Sequence, residues 1–167
     1  MKELSLEEQV VKLLQEKKIK ISTTESCTGG FLAGTIVNVS GASEVFDEGY
    51  ITYSNVAKHK ILGVKEETLE QYGAVSEETA KEMAEGCAKA AGAQIAIGIT
   101  GIAGPTGGTK EKPVGLVYMA CMVNGEISVK EFHFSGNRSK IRETTTANAL
   151  TFVRHCILNE GKKKKEK

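Results

Sequence analysis

"IKISTTESCTGGFLAGTIV", residues 19 to 37, decides the fold. Ile19 to Thr24 is rich in β-branched residues and reads as a short strand. Five polar or nucleophilic side chains follow, from Thr24 to Thr28, directly before Gly29-Gly30. Phe31 to Val37 then reads as a helix that ends near Ser40-Gly41. A strand, a glycine turn and a helix in immediate succession form the opening unit of an α/β sheet.

The same alternation continues on both sides. Upstream, Ser5-Leu6-Glu7-Glu8 has capping-box spacing, in which serine and glutamate satisfy each other's orphan N–H groups. Leu6, Val10, Leu13 and Leu14 then recur at helical spacing. Downstream, Glu48 to Ser54 has strand composition, followed by short helices over Asn55 to Leu62 and Glu66 to Tyr72. Ser76 caps a longer helix whose apolar positions, Ala80, Met83, Ala84, Cys87, Ala88 and Ala91, fall on one stripe. Gln94 to Thr100 reads as a buried strand that runs into the glycine-rich segment from Gly101 to Gly108. Two further strands, Val114 to Val123 and Glu126 to Phe134, flank Asn124-Gly125, the strongest short hairpin signal. A final helix spans about Asn137 to Leu158, with Ile141, Thr145, Asn148, Ala149, Phe152, Val153 and Cys156 on one face. The pattern predicts a three-layer α/β/α sandwich around a mixed, largely parallel sheet that includes a C-terminal hairpin. Residues 1–160 form one domain, and residues 161–167 read as a disordered lysine-rich tail.

Composition narrows the function. The chain has 167 residues, 40% hydrophobic and 26% charged, which is ordinary for a globular domain. Its net charge is +1, and the run Lys162 to Lys165 carries much of the basic charge. Without that run the body is slightly acidic, so no nucleic-acid partner is expected. Aromatic residues make up 5% of the chain and tryptophan is absent, which argues against base-stacking platforms. No apolar run approaches the ~18 residues of a membrane span, and no signal peptide is evident. The four cysteines are far apart, and the three histidines lack metal-ligand spacing. A cytoplasmic protein without a metal site is the expectation.

Two glycine-rich segments directly follow strands, Ser26 to Gly30 and Thr100 to Gly108. Ligands of α/β sheets bind at the carboxyl ends of strands, and glycines let backbone N–H groups approach an anion. A phosphate-bearing small molecule fits such loops, although neither is a P-loop or a dinucleotide fingerprint. Ser26 has two readings at this point: a helix N-cap, with Thr28 as an equal contender, or a nucleophile on a strand-to-helix turn. No Gly-x-Ser-x-Gly elbow and no Ser-x-x-Lys pair is present. Cys27 competes as a nucleophile, since a helix N-terminus lowers a thiol pKa. His59 is a candidate base in a solvated Lys58-His59-Lys60 run. Lys58 is another, if burial lowers its pKa, with Tyr53 five residues earlier to pass a proton. Arg138 and Arg142 flank the start of the last helix, and either can pair with phosphate; surface solvation competes, at least equally for Arg138.

Five segments in one order carry a resemblance: "TTESCTGG" (23–30), "GASEVFDEGYITYSNVAKHKILGV" (41–64), "GAVSEETAKEMAEG" (73–86), "GITGIAGPTGGTKEKPVGLVY" (98–118) and "FSGNRSKIRETTT" (134–146). Together they resemble the CinA C-terminal domain family of bacterial nicotinamide-nucleotide amidases, over about residues 5 to 158. The length resembles the family's stand-alone form, without the molybdopterin-binding-like domain that precedes longer members. The resemblance implies hydrolysis of nicotinamide mononucleotide (NMN) to nicotinate mononucleotide and ammonia, in pyridine-nucleotide recycling. It implies no metal or organic cofactor, and a homodimer. The family's nucleophilic serine falls on Ser26, its lysine on Lys58 and its tyrosine on Tyr53. Ser43, in Gly41-Ala42-Ser43, is a further active-site candidate. Thr28, Gly29, Gly30, Thr100, Gly101, Gly104 and Arg142 are the expected substrate-binding positions, with Arg142 and the glycine-rich loop gripping the ribose phosphate. Thr24 and Ala42 depart from commoner alanine and serine, and neither removes a needed group.

Overall fold

The structure is a computed structural model, and it describes residues 2–163. Helix α1 (Leu6–Lys17) begins at the expected capping box, with the Ser5 and Glu8 side chains each accepting the other's backbone N–H. It leads into β1 (Ile21–Glu25), α2 (Phe31–Val37), a single 3-10 turn at Ala42–Glu44, and β2 (Phe46–Ile51). Helices α3 (Asn55–Leu62), α4 (Glu66–Tyr72) and α5 (Glu77–Ala91) follow. Strands β3 (Ile95–Gly101), β4 (Leu116–Val123) and β5 (Glu126–His133) come next, and α6 (Arg138–Lys163) closes the chain. The last helix extends beyond Gly161, where a disordered tail was expected to begin, and residues 164–167 lie outside those described.

The sheet order is β2-β1-β3-β4-β5. β1 runs parallel to both β2 and β3, whereas β4 and β5 add antiparallel as a hairpin. The parallel part is therefore three strands of five, in the mixed sheet that the alternating pattern implied. Asn124 and Gly125 both have positive φ, 47° and 86°, as a tight hairpin turn requires.

Helices cover both faces of the sheet. On one face α1, α2 and α6 bury Val10, Leu14, Leu32, Ile36, Ile141 and Phe152 against the isoleucines of β1 and β3. On the other face α5 lies on the sheet, burying Met83, Ala84 and Cys87 along its predicted stripe. Close approach explains how flush it lies: a Cβ at Gly98 of β3 would come within 3.0 Å of the α5 backbone at Ala80 and Ala84. A Cβ at Gly86 of α5 would run into the Leu62 carbonyl of α3. That contact seats α3, and with it Lys58, against the sheet.

Register brings the strand ends together. Glu25 lies opposite Ile51 on one side and Ile99 on the other. Beyond them the Thr52 amide donates to the Glu25 carbonyl at 3.0 Å, and the Ser26 amide to the Ile99 carbonyl at 3.0 Å. The first residues past β1, β2 and β3 thus meet at one edge of the sheet.

Candidate active site

At that edge the Lys58 side chain reaches back from α3 beneath the β2 exit. Its Nζ lies 3.1 Å from Ser26 Oγ and donates to the carbonyls of Thr52 at 2.9 Å and Tyr53 at 3.2 Å. Lys58 is 1% exposed, and no salt bridge to it is present among the described residues. Removal from water disfavours the ammonium and pushes its pKa from 10.5 down to about 8. When neutral, the amine has two N–H donors and one lone pair. The two carbonyls can take both donors, leaving the lone pair for the Ser26 hydroxyl. A hydroxyl hydrogen-bonded to a neutral amine is the arrangement in which a serine becomes nucleophilic.

The turn that carries Ser26 is fixed from behind. The buried Glu25 carboxylate accepts the Leu32 amide at 2.9 Å and the Ala33 amide at 3.1 Å. It therefore caps α2 from the preceding strand, and an anion there complements the helix N-terminus. The N-cap position itself is Gly30, at φ 100° and with no side-chain cap. Ser26 and Thr28, the two expected caps, do not serve as caps. Glu25 escaped the sequence reading because cap signals are sought immediately before a helix, and this carboxylate arrives from six residues upstream of its first turn.

A cleft of about 330 Å³ opens over Ser26 and Lys58, within the range of small-molecule sites. Thr100, Gly101 and Gly104 line it as expected, together with Ala74, Val75, Thr106 and Arg138. The Thr100 hydroxyl donates to the Ala74 carbonyl at 2.7 Å and so ties β3 to the segment before α5. Tyr53 also lines the cleft, but its phenol hydroxyl accepts from Arg138 Nη2 at 3.1 Å, and its backbone carbonyl is what contacts Lys58.

Other expected residues lie elsewhere. Thr28, Gly29 and Gly30 turn away from the cleft: Gly30 faces a groove of about 560 Å³ among α1, α2 and α6. Four amides of this turn and of the first turn of α2 are also occupied, Gly29 by the Ser26 carbonyl, Phe31 by Thr28, and Leu32 and Ala33 by Glu25. Arg142 does not line the cleft. Its guanidinium donates to the carbonyls of Cys27 at 2.9 Å and Thr28 at 3.2 Å and stacks 4.0 Å over Phe31. Ser43 is exposed in the 3-10 turn before β2, at the amino end of a strand whose carboxyl end reaches the site. β2 alone separates the two ends by about 17 Å at ~3.3 Å per residue.

The competing nucleophile and base are also resolved. Cys27 is 5% exposed, and burial raises its thiol to about 11, the opposite of an activated cysteine. His59 Nδ1 lies 2.7 Å from the Val64 carbonyl, at the far end of α3. Among the described residues, no group of three or more His, Cys, Asp or Glu side chains could hold a metal. No helix there is long and apolar enough to cross a membrane.

Fold and site together define an open-sheet α/β domain with a buried serine–lysine pair at the carboxyl ends of its parallel strands. The chain belongs to the CinA C-terminal domain family, whose model matches residues 3–157. A CinA-like protein from Kosmotoga olearia is 61% identical over 156 residues, which are 93% of this chain and 38% of that protein. A competence-damage inducible protein from Clostridium perfringens is 59% identical over 152 residues, 91% of this chain and 37% of that one. The chain thus spans less than two-fifths of the length of these relatives. Among solved structures, a CinA-superfamily protein from Klebsiella pneumoniae matches with a TM-score of 0.90 and 34% identity, covering 92% of this chain and 96% of that one. A competence/damage-inducible protein from Agrobacterium tumefaciens matches with a TM-score of 0.87 and 40% identity, covering 92% and 97%.

Proposed function

We propose that this domain is an amidohydrolase that converts NMN to nicotinate mononucleotide and ammonia, with Ser26 as nucleophile and Lys58 as base. The observation that carries the reading is the 3.1 Å contact between Ser26 Oγ and a buried Lys58 whose other donors are held by two backbone carbonyls. A lysine with no catalytic task gains nothing from such burial, because desolvating a charge without an ion partner costs stability.

In the reaction, neutral Lys58 takes the Ser26 proton as Oγ attacks the carboxamide carbon. Stabilisation of the oxyanion falls to backbone N–H groups at the cleft, that of Cys27 beside the nucleophile or those of Ala103 and Gly104 in the loop after β3, where the Ile102 amide is taken by the Leu116 carbonyl. The protonated lysine returns its proton to the departing ammonia, with the Tyr53 hydroxyl at the cleft wall as a relay. Water, deprotonated by the same amine, then cleaves the acyl-serine ester and restores Ser26. Each step uses groups already held in place, so the site needs no metal or organic cofactor.

Ammonia release from NMN measures this directly. The expected result is stoichiometric ammonia and nicotinate mononucleotide, with turnover increasing as pH rises through about 8 and Lys58 loses its proton. Release no greater than that of a buffer control would sink the proposal. The alternative outcome, a nucleotide-binding module without turnover, would then show as binding without ammonia.

A further inference from the structure

Arg138 and Arg142 lie one turn apart at the start of α6, and their environments differ. Arg142 is committed to the carbonyls of Cys27 and Thr28 and to the face of Phe31, outside the cleft. Arg138 is exposed at the cleft mouth and lines it. Its Nη1 donates to the Gly104 carbonyl at 2.7 Å on one wall, and its Nη2 to the Tyr53 hydroxyl at 3.1 Å on the other. The fork spans the opening.

The charge around the cleft is one-sided. Its lining includes two cationic side chains, Lys58 and Arg138, and no carboxylate. Lys58 sits at the floor, engaged with Ser26, so it is not placed to hold an anion at the mouth as well. The two bonds of Arg138 are unequal as anchors. The Gly104 carbonyl can hold Nη1 throughout, whereas the Tyr53 phenol is a neutral acceptor on a side chain 61% exposed. A dianionic phosphate monoester outcompetes such a phenol for a guanidinium, because charge-assisted bonds are roughly twice as strong as neutral ones.

We infer that Arg138 is the specificity-determining residue for a phosphate monoester on the ligand, exchanging its bond to the Tyr53 hydroxyl for phosphoryl oxygens while Gly104 keeps the guanidinium in place. This rests on the proposed amidase reading for the identity of the reacting group, and it moves the anion contact from Arg142 to Arg138. The exchange also frees the Tyr53 hydroxyl at the moment the nucleotide is seated. Phosphate recognition and release of the candidate proton relay then become one event.

The test compares NMN with nicotinamide riboside, which lacks the phosphate, on the wild-type chain and on Arg138→Met and Arg138→Lys, with melting temperatures as folding controls. For NMN, Arg138→Met is expected to raise KM about 10- to 100-fold, the size of a lost hydrogen bond to a charged group. The loss in kcat/KM should be at least ~10-fold larger for NMN than for the riboside, since only the nucleotide has a phosphate to lose. Arg138→Lys should recover part of the NMN affinity, because an ammonium keeps the charge but not the fork. Equal losses on both substrates would reduce Arg138 to a strut between Gly104 and Tyr53 and overturn the inference, as would an unchanged KM for NMN. Calorimetric titration of NMN and of inorganic phosphate into wild type and Arg138→Met reads the same contact without turnover. Absence of ammonia from the wild type would defeat the amidase reading, while phosphate binding lost in Arg138→Met would still support the anion contact. Phosphate binding equal in both proteins would overturn it.

Discussion

The two glycine-rich loops look alike in sequence, each following a parallel strand at the carboxyl edge of the sheet, yet they do opposite things. The loop after β1, Ser26 to Gly30, reaches the cleft only at Ser26 and the buried Cys27 and turns the rest of itself away. Its Gly29 amide serves the Ser26 carbonyl, its Cys27 and Thr28 carbonyls serve Arg142, and α2 beyond it is capped by Glu25. The loop after β3, Gly101 to Gly107, lines the cleft at every position but Pro105. A glycine-rich turn after a strand therefore marks a place where backbone comes close to something, and the partner need not be a ligand. Here the first loop is a rigid mount for a nucleophile, and the second is the wall that faces it.

The largest expected effect tests the mount. Ser26→Ala should lower turnover by at least ~10³-fold with folding intact, whereas Ser43→Ala, at the opposite end of β2, should stay within ~2-fold. Acylated protein isolated from a quenched reaction would place the label on Ser26 by peptide mass. Activity retained in Ser26→Ala would remove the distinction between the loops.

Lys58→Met should be as inactive as Ser26→Ala yet more stable than the wild type by about 1–3 kcal/mol, since it removes a buried group that water solvates better. The sign with pH follows from the lowered pKa. Between about 8 and 10.5 this side chain is protonated in the unfolded chain and neutral in the native one, so its own contribution to stability rises with pH across that window. The full cost is present below about 8, and the gap between wild type and Lys58→Met should narrow above it. Denaturant unfolding at pH 7 and pH 10 measures both, and a pH-independent gap would contradict a lysine held near 8. Lys58→Arg should restore no activity, because arginine does not act as a neutral base.

The smallest effects compare the loops directly. A Cβ at Gly101 would sit 2.6 Å from Val117 Cγ2 and 2.9 Å from the Leu116 carbonyl. Gly101→Ala should therefore displace the cleft wall, costing about 1–3 kcal/mol and roughly 10- to 100-fold in kcat. Gly29 has φ 58° and its Cβ would meet only Arg142 Nη2, at 3.2 Å. Gly29→Ala should cost about 1–2 kcal/mol of backbone strain with less than ~5-fold in kcat, because nothing on the cleft side moves. Thermal melts and ammonia assays on the pair check the ordering.

Much of the fold was legible because its signals are local. Ser5 with Glu8, Ser76, Asn124-Gly125 and the one-sided stripe of α5 are patterns within a few turns of chain, and α3 and α4 begin and end where such patterns place them, whereas α2 stops at Val37, short of the expected Ser40-Gly41. The site was legible in part. The resemblance singled out Ser26 and Lys58, and burial brings them within 3.1 Å. It also placed Arg142, Gly29 and Gly30 around the substrate, where the tertiary structure gives them to the turn itself and to neighbouring helices.

By itself, the sequence determined the alternation of strand, turn and helix, the caps, the hairpin and the chemical types gathered near the strand ends. Only the tertiary structure decided which of those groups share a cleft: the register of β1 against β2 and β3, the seating of α3 through Gly86, and the direction of two arginines one turn apart. The physical reason is range. Capping and periodicity are set by neighbours three or four residues away, whereas a lysine pKa or the commitment of a guanidinium depends on atoms brought from 32 to 115 positions along the chain.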